Sequence, residues 1–220
     1  MEKTALITGG SRGIGLEIVK VFEKHAYKVL APTREEMDLR DHNSIVAYCE
    51  KLDKTIDVIV NNAGINAIAT IENLNNEVFQ DMIQVNLLAP LTIIQFFKEK
   101  MRQNSIGRIV NISSIWSAVS KTGRGGYAAT KSAINSITKT LSIELAPNIL
   151  INAVAPGFVN TELTRQNNSP EEIKNITSSI PMGRLAEPAE IARLVYFLAS
   201  ENNTYITGQT VFIDGGYTCK

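Results

Sequence analysis

The chain has 220 residues, of which 44% are hydrophobic, and this favours one domain with a sizeable core over residues 1–220. Basic and acidic side chains both number 22, so no charge excess points to a nucleic-acid or membrane-surface partner. No stretch resembles a secretion signal or reaches the ~20 apolar residues of a membrane span, and we expect a soluble, cytoplasmic protein. The two cysteines, Cys49 and Cys219, are not spaced as metal ligands, so we expect both to be reduced and no metal site.

Short apolar segments alternate with longer amphipathic segments along the chain. Several short segments are apolar at successive positions, as strands are when both faces of their sheet are covered. This alternation predicts an α/β fold, a single doubly wound Rossmann-like domain with a parallel sheet of six or seven strands. The predicted strands are residues 4–8, 28–31, 58–61, 108–113, 150–155 and 210–214, and the predicted helices are 13–25, 42–52, 76–102, 127–146 and 187–200.

The connection after the second predicted strand is unusually short. Only a few residues separate Thr33 from Asp38, whereas a crossover through a helix to a parallel strand needs at least about 10–12 residues. We therefore expect the third strand of the doubly wound pattern, and the helix before it, to be shortened or missing.

A glycine-rich segment, TGGSRGIG at residues 8–15, follows the first predicted strand and opens the first predicted helix. Glycines permit a sharp turn and a close approach to a pyrophosphate, while the helix N-terminus offers N–H groups and a positive dipole. The segment predicts a dinucleotide-binding loop. Its candidate cofactor-binding residues are Gly9, Ser11, Arg12, Gly13, Ile14 and Gly15.

Further motifs follow the loop in order: NNAG at residues 61–64, Asn86, Ser114, Tyr127 and Lys131 in YxxxK spacing, and PG at 156–157. This ordered set resembles the short-chain dehydrogenase/reductase family, in the short single-domain branch with 3-oxoacyl-(acyl-carrier-protein) reductase-like members. The resemblance extends through DGG at 214–216. It implies hydride transfer between a nicotinamide cofactor and a carbonyl or secondary alcohol.

The end of the second predicted strand bears on which cofactor is used. NAD-binding domains place an acid there for the ribose hydroxyls, whereas a 2′-phosphate requires a cation. Thr33 and Arg34 occupy this place, with Arg12 as a second positive charge, which favours NADP(H) over NAD(H). The alternative is that Glu35 or Glu36 serves as the acid.

The resemblance implies additional cofactor-binding residues. Asp38 and Leu39 would flank the adenine, and Val159 and Thr161 would hold the nicotinamide carboxamide. The others are Asn62, Ala63, Gly64, Tyr127, Lys131, Pro156 and Gly157.

Tyr127 and Lys131 are the candidates for acid–base catalysis. Their spacing places both on one face of a helix, where the ammonium is expected to lower the phenol pKa from its ordinary ~10. Ser114, at a strand end and thirteen residues before Tyr127, is the candidate for polarising the substrate oxygen. Its neighbour Ser113 is the competing candidate.

Asn86 precedes Pro90 by four residues. Proline has no N–H to bond the Asn86 carbonyl, so we expect a kink and a carbonyl free for water. The resemblance implies that Asn86 holds a water which links Lys131 to solvent in a proton relay.

The substrate and partners are less constrained. We expect residues 162–181 to form a substrate loop without a long apolar helix, and Trp116 and Phe158 to form pocket walls. The resemblance implies a small-molecule carbonyl or alcohol substrate and a homodimer or homotetramer, formed through the helices carrying Asn86 and Tyr127 and the last strand. The alternatives are a sugar-nucleotide reductase or epimerase and a non-catalytic NADP(H)-binding sensor.

Overall fold

The computed structural model describes residues 2–52, 55–101, 106–166 and 168–219. In this part of the chain six strands form one sheet in the order β2-β1-β3-β4-β5-β6, and every adjacent pair is parallel. The doubly wound parallel sheet that the sequence predicts is therefore confirmed. The strands are β1 (Thr4–Ile7), β2 (Lys28–Leu30), β3 (Val58–Asn61), β4 (Gly107–Ile112), β5 (Ile149–Pro156) and β6 (Thr210–Ile213).

Helices cover both faces of the sheet. They are α1 (Gly13–Lys24), α2 (His42–Lys51), α3 (Asn76–Ile83), α4 (Ala89–Met101), α5 (Gly125–Glu144), α6 (Glu162–Gln166), α7 (Pro170–Ser178) and α8 (Pro188–Ala199). Successive residues of β1 point to opposite faces: Ala5 and Ile7 pack with α1 and α8, whereas Leu6 packs with α2 and α4. This two-sided burial explains why the strands are apolar at successive positions.

The sheet ends at β2 within the described residues. Between β2 and α2 the chain forms only turns, one of which is closed by the Met37 N–H bonding to the Thr33 carbonyl at 3.0 Å. This turn brings residues 33–40 to the carboxyl edge of β1.

The helix predicted over residues 76–102 is wrong as a single helix. The structure divides it into α3, a π-helical turn (Gln84–Leu88) and α4, and residue 102 lies outside the described residues. The Ala89 N–H bonds to the Gln84 carbonyl, five residues earlier. Because Pro90 cannot bond the Asn86 carbonyl, the ordinary helical register is interrupted here, and the wider turn takes up the interruption.

The segment at residues 162–181 contains the short helices α6 and α7 instead of a simple loop. Helix α7 begins with a capping box, in which Ser169 Oγ accepts the Glu172 N–H and the Glu172 carboxylate accepts the Ser169 N–H, and with Pro170 in the first turn. This Ser-Pro-x-Glu pattern is a helix-start signal that the sequence contained.

Among the described residues no helix is long and apolar enough to span a membrane, and Cys49 and Cys219 are free thiols.

Candidate active site

A groove of about 220 Å³ opens at the carboxyl edge of the sheet, beside the glycine loop. It lies at the end of β1, which has β2 as its neighbour on one side and β3 on the other. This position is the switch point at which open α/β sheets bind ligands. The predicted cofactor residues that line it are Gly9, Ser11, Thr33, Arg34, Leu39, Ala63 and Gly64, and the lining residues that the sequence analysis missed are Thr8, Pro32, Met37, Arg40, Ile65 and Val85.

The glycine loop is braced from β3. Asn62 Nδ2 donates to the carbonyls of Thr8 and Gly9, both at 3.0 Å, and Thr8 Oγ1 accepts the N–H of Ala63 at 3.0 Å. A Cβ on Gly15 would collide with the Gly9 carbonyl oxygen and lie 2.5 Å from Asn62 Nδ2. Asn62 therefore shapes the loop, and its side chain is committed to that role.

The turn after β2 presents a cation to the groove. Arg34 lines the groove, while Glu36 Oε2 accepts the Thr33 N–H at 2.8 Å. Bonds from its own N–H and from the Thr33 hydroxyl hold the pKa of Glu35 below its ordinary value. Both alternative acids thus fold back on the turn, and neither is among the groove-lining residues.

The Asp38 carboxylate contacts both Arg40 and Arg34. Its Oδ1 accepts the Arg40 N–H at 3.0 Å, and its Oδ2 lies 3.3 Å from both Nε and Nη2 of Arg34. These two contacts hold the pKa of Asp38 low. Asp38 is not a lining residue; it orients Arg34, and its neighbour Leu39 faces the groove.

Two further arginines differ in position. Arg40 lines the groove, and its Nε lies 3.1 Å from Asp81 Oδ2. Arg12 is exposed at the N-cap of α1 and does not line the groove. The backbone N–H groups of the loop and of the α1 N-terminus, with the guanidinium groups of Arg34 and Arg40, form a donor set that suits a phosphorylated dinucleotide.

The predicted catalytic side chains meet where β4 ends against α5. Lys131 is 3% exposed, and its Nζ donates to the Ile112 carbonyl at 2.7 Å and lies 5.6 Å from the Tyr127 ring centroid. Helix α5 starts two residues earlier than predicted, at Gly125. A Cβ on Gly126 would lie 2.9 Å from Met82 Cε, so close packing on α3 fixes the turn that carries Tyr127.

The protonation states differ from the expectation for the Tyr-Lys pair. Burial raises the pKa of Tyr127 to about 12, although the Ser114 hydroxyl and the Arg124 guanidinium act to lower it. Burial also lowers the pKa of Lys131 to about 8. Lys131 is not among the groups that shift the phenol pKa, and its amine faces the Ile112 carbonyl.

The two candidate serines have distinct partners. Ser113 Oγ donates to the Lys131 carbonyl at 3.2 Å and is 2% exposed. Ser114 Oγ accepts the Trp116 N–H at 3.3 Å and acts on the Tyr127 phenol. The geometry therefore places Ser114, and not Ser113, beside the tyrosine.

Asn86 lies on the π-helical turn and is buried. Its Oδ1 accepts the Ile65 N–H and its Nδ2 donates to the Ile65 carbonyl, both at 2.9 Å, and Nδ2 also lies 3.1 Å from Thr130 Oγ1. A Cβ on Gly64 would lie 3.2 Å from Asn86 Oδ1 and 3.6 Å from Lys131 Nζ. The amide of Asn86 thus joins the segment after β3 to α5 beside Lys131.

The segment that follows β5 returns to the glycine loop. Pro156 ends β5, and Gly157 packs so closely that a Cβ on it would lie 2.8 Å from Asp214 Cα. Val159 forms a bridge with Ala186. Thr161 Cγ2 would lie 3.5 Å from a Cβ on Gly13, so this segment brings Thr161 to the cofactor loop.

An aromatic row borders the catalytic cluster. The ring centroids of Trp116 and Phe158 are 6.0 Å apart, and those of Phe158 and Tyr217 are 5.2 Å apart. Arg124 Cζ lies 5.4 Å from the Trp116 ring centroid. Trp116 and Phe158 were expected in the pocket wall, whereas Arg124 and Tyr217 were not singled out.

In the described part of the chain no group of His, Cys, Asp and Glu side chains is placed to hold a metal ion.

Known proteins match this chain along nearly its whole length. A family model described as Enoyl-(Acyl carrier protein) reductase matches residues 23–218. The acetoacetyl-CoA reductase of Acinetobacter sp. (strain RA3849) is 36% identical over 242 aligned positions, which cover 98% of this chain and 97% of the relative. The 3-oxoacyl-(acyl-carrier-protein) reductase of Chlamydia trachomatis serovar D is 35% identical over 243 positions, with 98% and 97% covered.

A solved structure agrees with these sequence matches. The structure of ElxO with NADP bound superposes with a TM-score of 0.90 at 32% identity and covers 100% of both chains. The fold, the edge groove and the matches together define an oxidoreductase. The chain belongs to the short-chain dehydrogenase/reductase family.

Proposed function

We propose that this protein is an NADP(H)-dependent oxidoreductase that reduces a carbonyl group or oxidises the corresponding secondary alcohol. The observation that carries the proposal is the meeting of Ser114, Tyr127 and Lys131 at the sheet edge that also holds the dinucleotide groove. A hydroxyl donor, a phenol and an amine in one place are the groups that acid–base catalysis at a carbonyl requires.

The cofactor would lie along the groove. The glycine loop and the α1 N-terminus would bind the pyrophosphate, Arg34 the 2′-phosphate, and Leu39 would contact the adenine. Thr161 and Val159 would hold the carboxamide near Gly13. The bound NADP(H) supplies the hydride.

The protein side chains supply the proton. Because the pKa of Tyr127 is about 12, its phenol is protonated at neutral pH and donates from Oη to the carbonyl oxygen during reduction. Ser114 donates a hydrogen bond to the same oxygen and stabilises the charge that develops on it. The Lys131 ammonium binds the nicotinamide ribose, and water at the Asn86 backbone carbonyl, to which Pro90 has no N–H to donate, returns the proton.

The first substrate class to test is the 3-oxoacyl thioesters, because the similar proteins are named as reductases of acetoacetyl-CoA and of 3-oxoacyl groups on acyl carrier protein.

A non-catalytic sensor would not need an intact catalytic set, yet Asn86, Ser114, Tyr127 and Lys131 are all present. The test follows NADPH absorbance with purified protein and a panel of 3-oxoacyl thioesters, keto sugars, steroids and simple ketones. Turnover supports the proposal, and the absence of turnover across the whole panel contradicts it.

Cofactor preference depends on Arg34. We expect Arg34→Ala to raise the Kd of NADPH about 10- to 100-fold, the cost of losing charge-assisted hydrogen bonds to a phosphate, and to leave the Kd of NADH unchanged. Fluorescence titration of both cofactors measures this. Glu35→Gln is the control and leaves both constants unchanged; a weaker NADH affinity in Glu35→Gln with no effect of Arg34→Ala would restore the acid alternative.

The pH dependence of reduction depends on Lys131. Since burial lowers the pKa of this amine to about 8, the ammonium is complete below that pH and is lost as the pH rises through it. We expect kcat/KM for reduction to be level in the acidic range and to fall about tenfold per unit above pH ~8. A profile that stays level well beyond this pH would contradict the assignment.

We also propose a homodimer or homotetramer. Ile143 on α5 is 80% exposed, Leu88 in the π-helical turn is 44% exposed and Phe212 on β6 is 38% exposed, and these apolar side chains lie on the elements that the family resemblance implicates in assembly. Light scattering at micromolar concentration is expected to give a multiple of the single-chain mass. A single-chain mass would contradict the assembly.

A further inference from the structure

Arg124 stands beside the proposed catalytic centre. It precedes α5 and lies three positions before Tyr127, so both side chains project from the same turn. Its Cζ lies 5.4 Å from the Trp116 ring centroid, within cation–π distance. The backbone N–H of Trp116 donates to Ser114 Oγ, so Arg124 packs on the ring of a residue that also contacts Ser114.

The guanidinium of Arg124 has no acceptor among the described residues. It is half-buried. Burial lowers the pKa of Arg124, and Tyr127 is the one ionisable group that acts to raise it. An arginine carries five N–H donors, and leaving them unpaired and partly desolvated is costly. Three other arginines are paired with carboxylates: Arg34 with Asp38, Arg40 with Asp81, and Arg184 with Glu190.

We propose that Arg124 is a substrate-binding residue whose N–H groups donate to the C1 oxygen of a 3-oxoacyl substrate. This inference rests on the proposed function. In such a substrate one methylene separates C1 from the carbonyl carbon that is reduced, so an acceptor at C1 lies beside the carbonyl that Tyr127 and Ser114 address. Packing against Trp116 holds the guanidinium in place before the substrate arrives, which reduces the entropy lost on binding.

A thioester carbonyl and the carboxylate of a free 3-oxo acid offer the same acceptor position. The experiment measures kcat/KM for the N-acetylcysteamine thioester of acetoacetate, for acetoacetate, and for 2-pentanone. The last has no oxygen on the carbon that corresponds to C1 of the 3-oxoacyl group. The variants are Arg124→Leu, Arg124→Lys and the control Arg193→Leu, an exposed arginine on α8. The substrate that the wild type prefers identifies the source of the C1 oxygen.

We expect Arg124→Leu to lower kcat/KM about 10- to 100-fold for the preferred 3-oxoacyl substrate and to leave 2-pentanone within a few-fold of wild type. Where 2-pentanone turns over too slowly, its inhibition constant replaces kcat/KM. Arg124→Lys keeps the charge but loses the planar fork, so it should fall between wild type and Arg124→Leu. Arg193→Leu should match wild type.

An equal loss for 2-pentanone and the 3-oxoacyl substrates would overturn the proposal, because Arg124 would then act through Tyr127. No loss for any substrate would overturn it as well. Thermal unfolding and an NADPH titration establish that each variant is folded, and Arg124→Lys decides the question if Arg124→Leu is not. If wild-type protein reduces no carbonyl at all, the proposed function fails too, and this result is distinct from wild-type turnover that Arg124→Leu leaves intact.

Discussion

Tyr127→Phe is expected to lower kcat for carbonyl reduction by about 10²–10⁴-fold, the range that loss of a positioned general acid produces. The phenol lies at the start of α5, between Ser114 and Lys131, and the Lys131 amine is held by the Ile112 carbonyl. Because the substitution removes a single oxygen from a packed ring, the fold and the groove should be preserved.

The measurement is single-turnover and steady-state NADPH oxidation with the preferred substrate from the carbonyl panel. NADPH affinity by fluorescence should stay within a few-fold of wild type, since the groove is lined by other residues. Tyr205→Phe is the matched control, because that ring is 94% exposed and far from the site in sequence. Wild-type turnover from Tyr127→Phe would remove the tyrosine from the mechanism.

Ser114→Ala is expected to lower kcat by about 10²–10³-fold, as the loss of one donor to a developing oxyanion does. The adjacent serine is the control: Ser113 Oγ is committed to the Lys131 carbonyl at 3.2 Å, so Ser113→Ala should keep kcat and cost roughly 1 kcal/mol of stability from the lost hydrogen bond.

The pair is informative because both substitutions remove one hydroxyl at the same strand end. Steady-state kinetics and thermal unfolding of the two variants should separate a catalytic loss at position 114 from a stability loss at position 113. The reverse pattern, with kcat lost in Ser113→Ala and kept in Ser114→Ala, would exchange the two roles.

Much of the architecture follows from local patterns. Successive apolar residues predict buried parallel strands because both faces of each strand are covered, and the glycine loop marks the crossing of β1 into α1. The short turn after β2 follows from chain length alone. The closeness of Tyr127 and Lys131 follows from helical spacing.

Other features depend on contacts that spacing does not contain. The division of residues 76–102 depends on which carbonyls accept hydrogen bonds around Pro90. A π-helical turn has no distinct hydrophobic period that would reveal it in the sequence. The high pKa of Tyr127 comes from packing around the ring. The positions of Arg40 in the groove and of Arg124 on Trp116 arise only when distant segments meet.

Strand β2 forms one border of the sheet, and this position has a consequence for aggregation. A border strand offers unpaired N–H and C=O groups to any other chain that can align with it, which is a route to aggregation. Here the border is only three residues long, Lys28–Leu30. It begins with a charged side chain, and Pro32, which has no N–H, follows shortly after it. Short length, a lysine and a proline are the means by which proteins discourage such pairing, so the border strand itself carries the features that limit aggregation through its free edge.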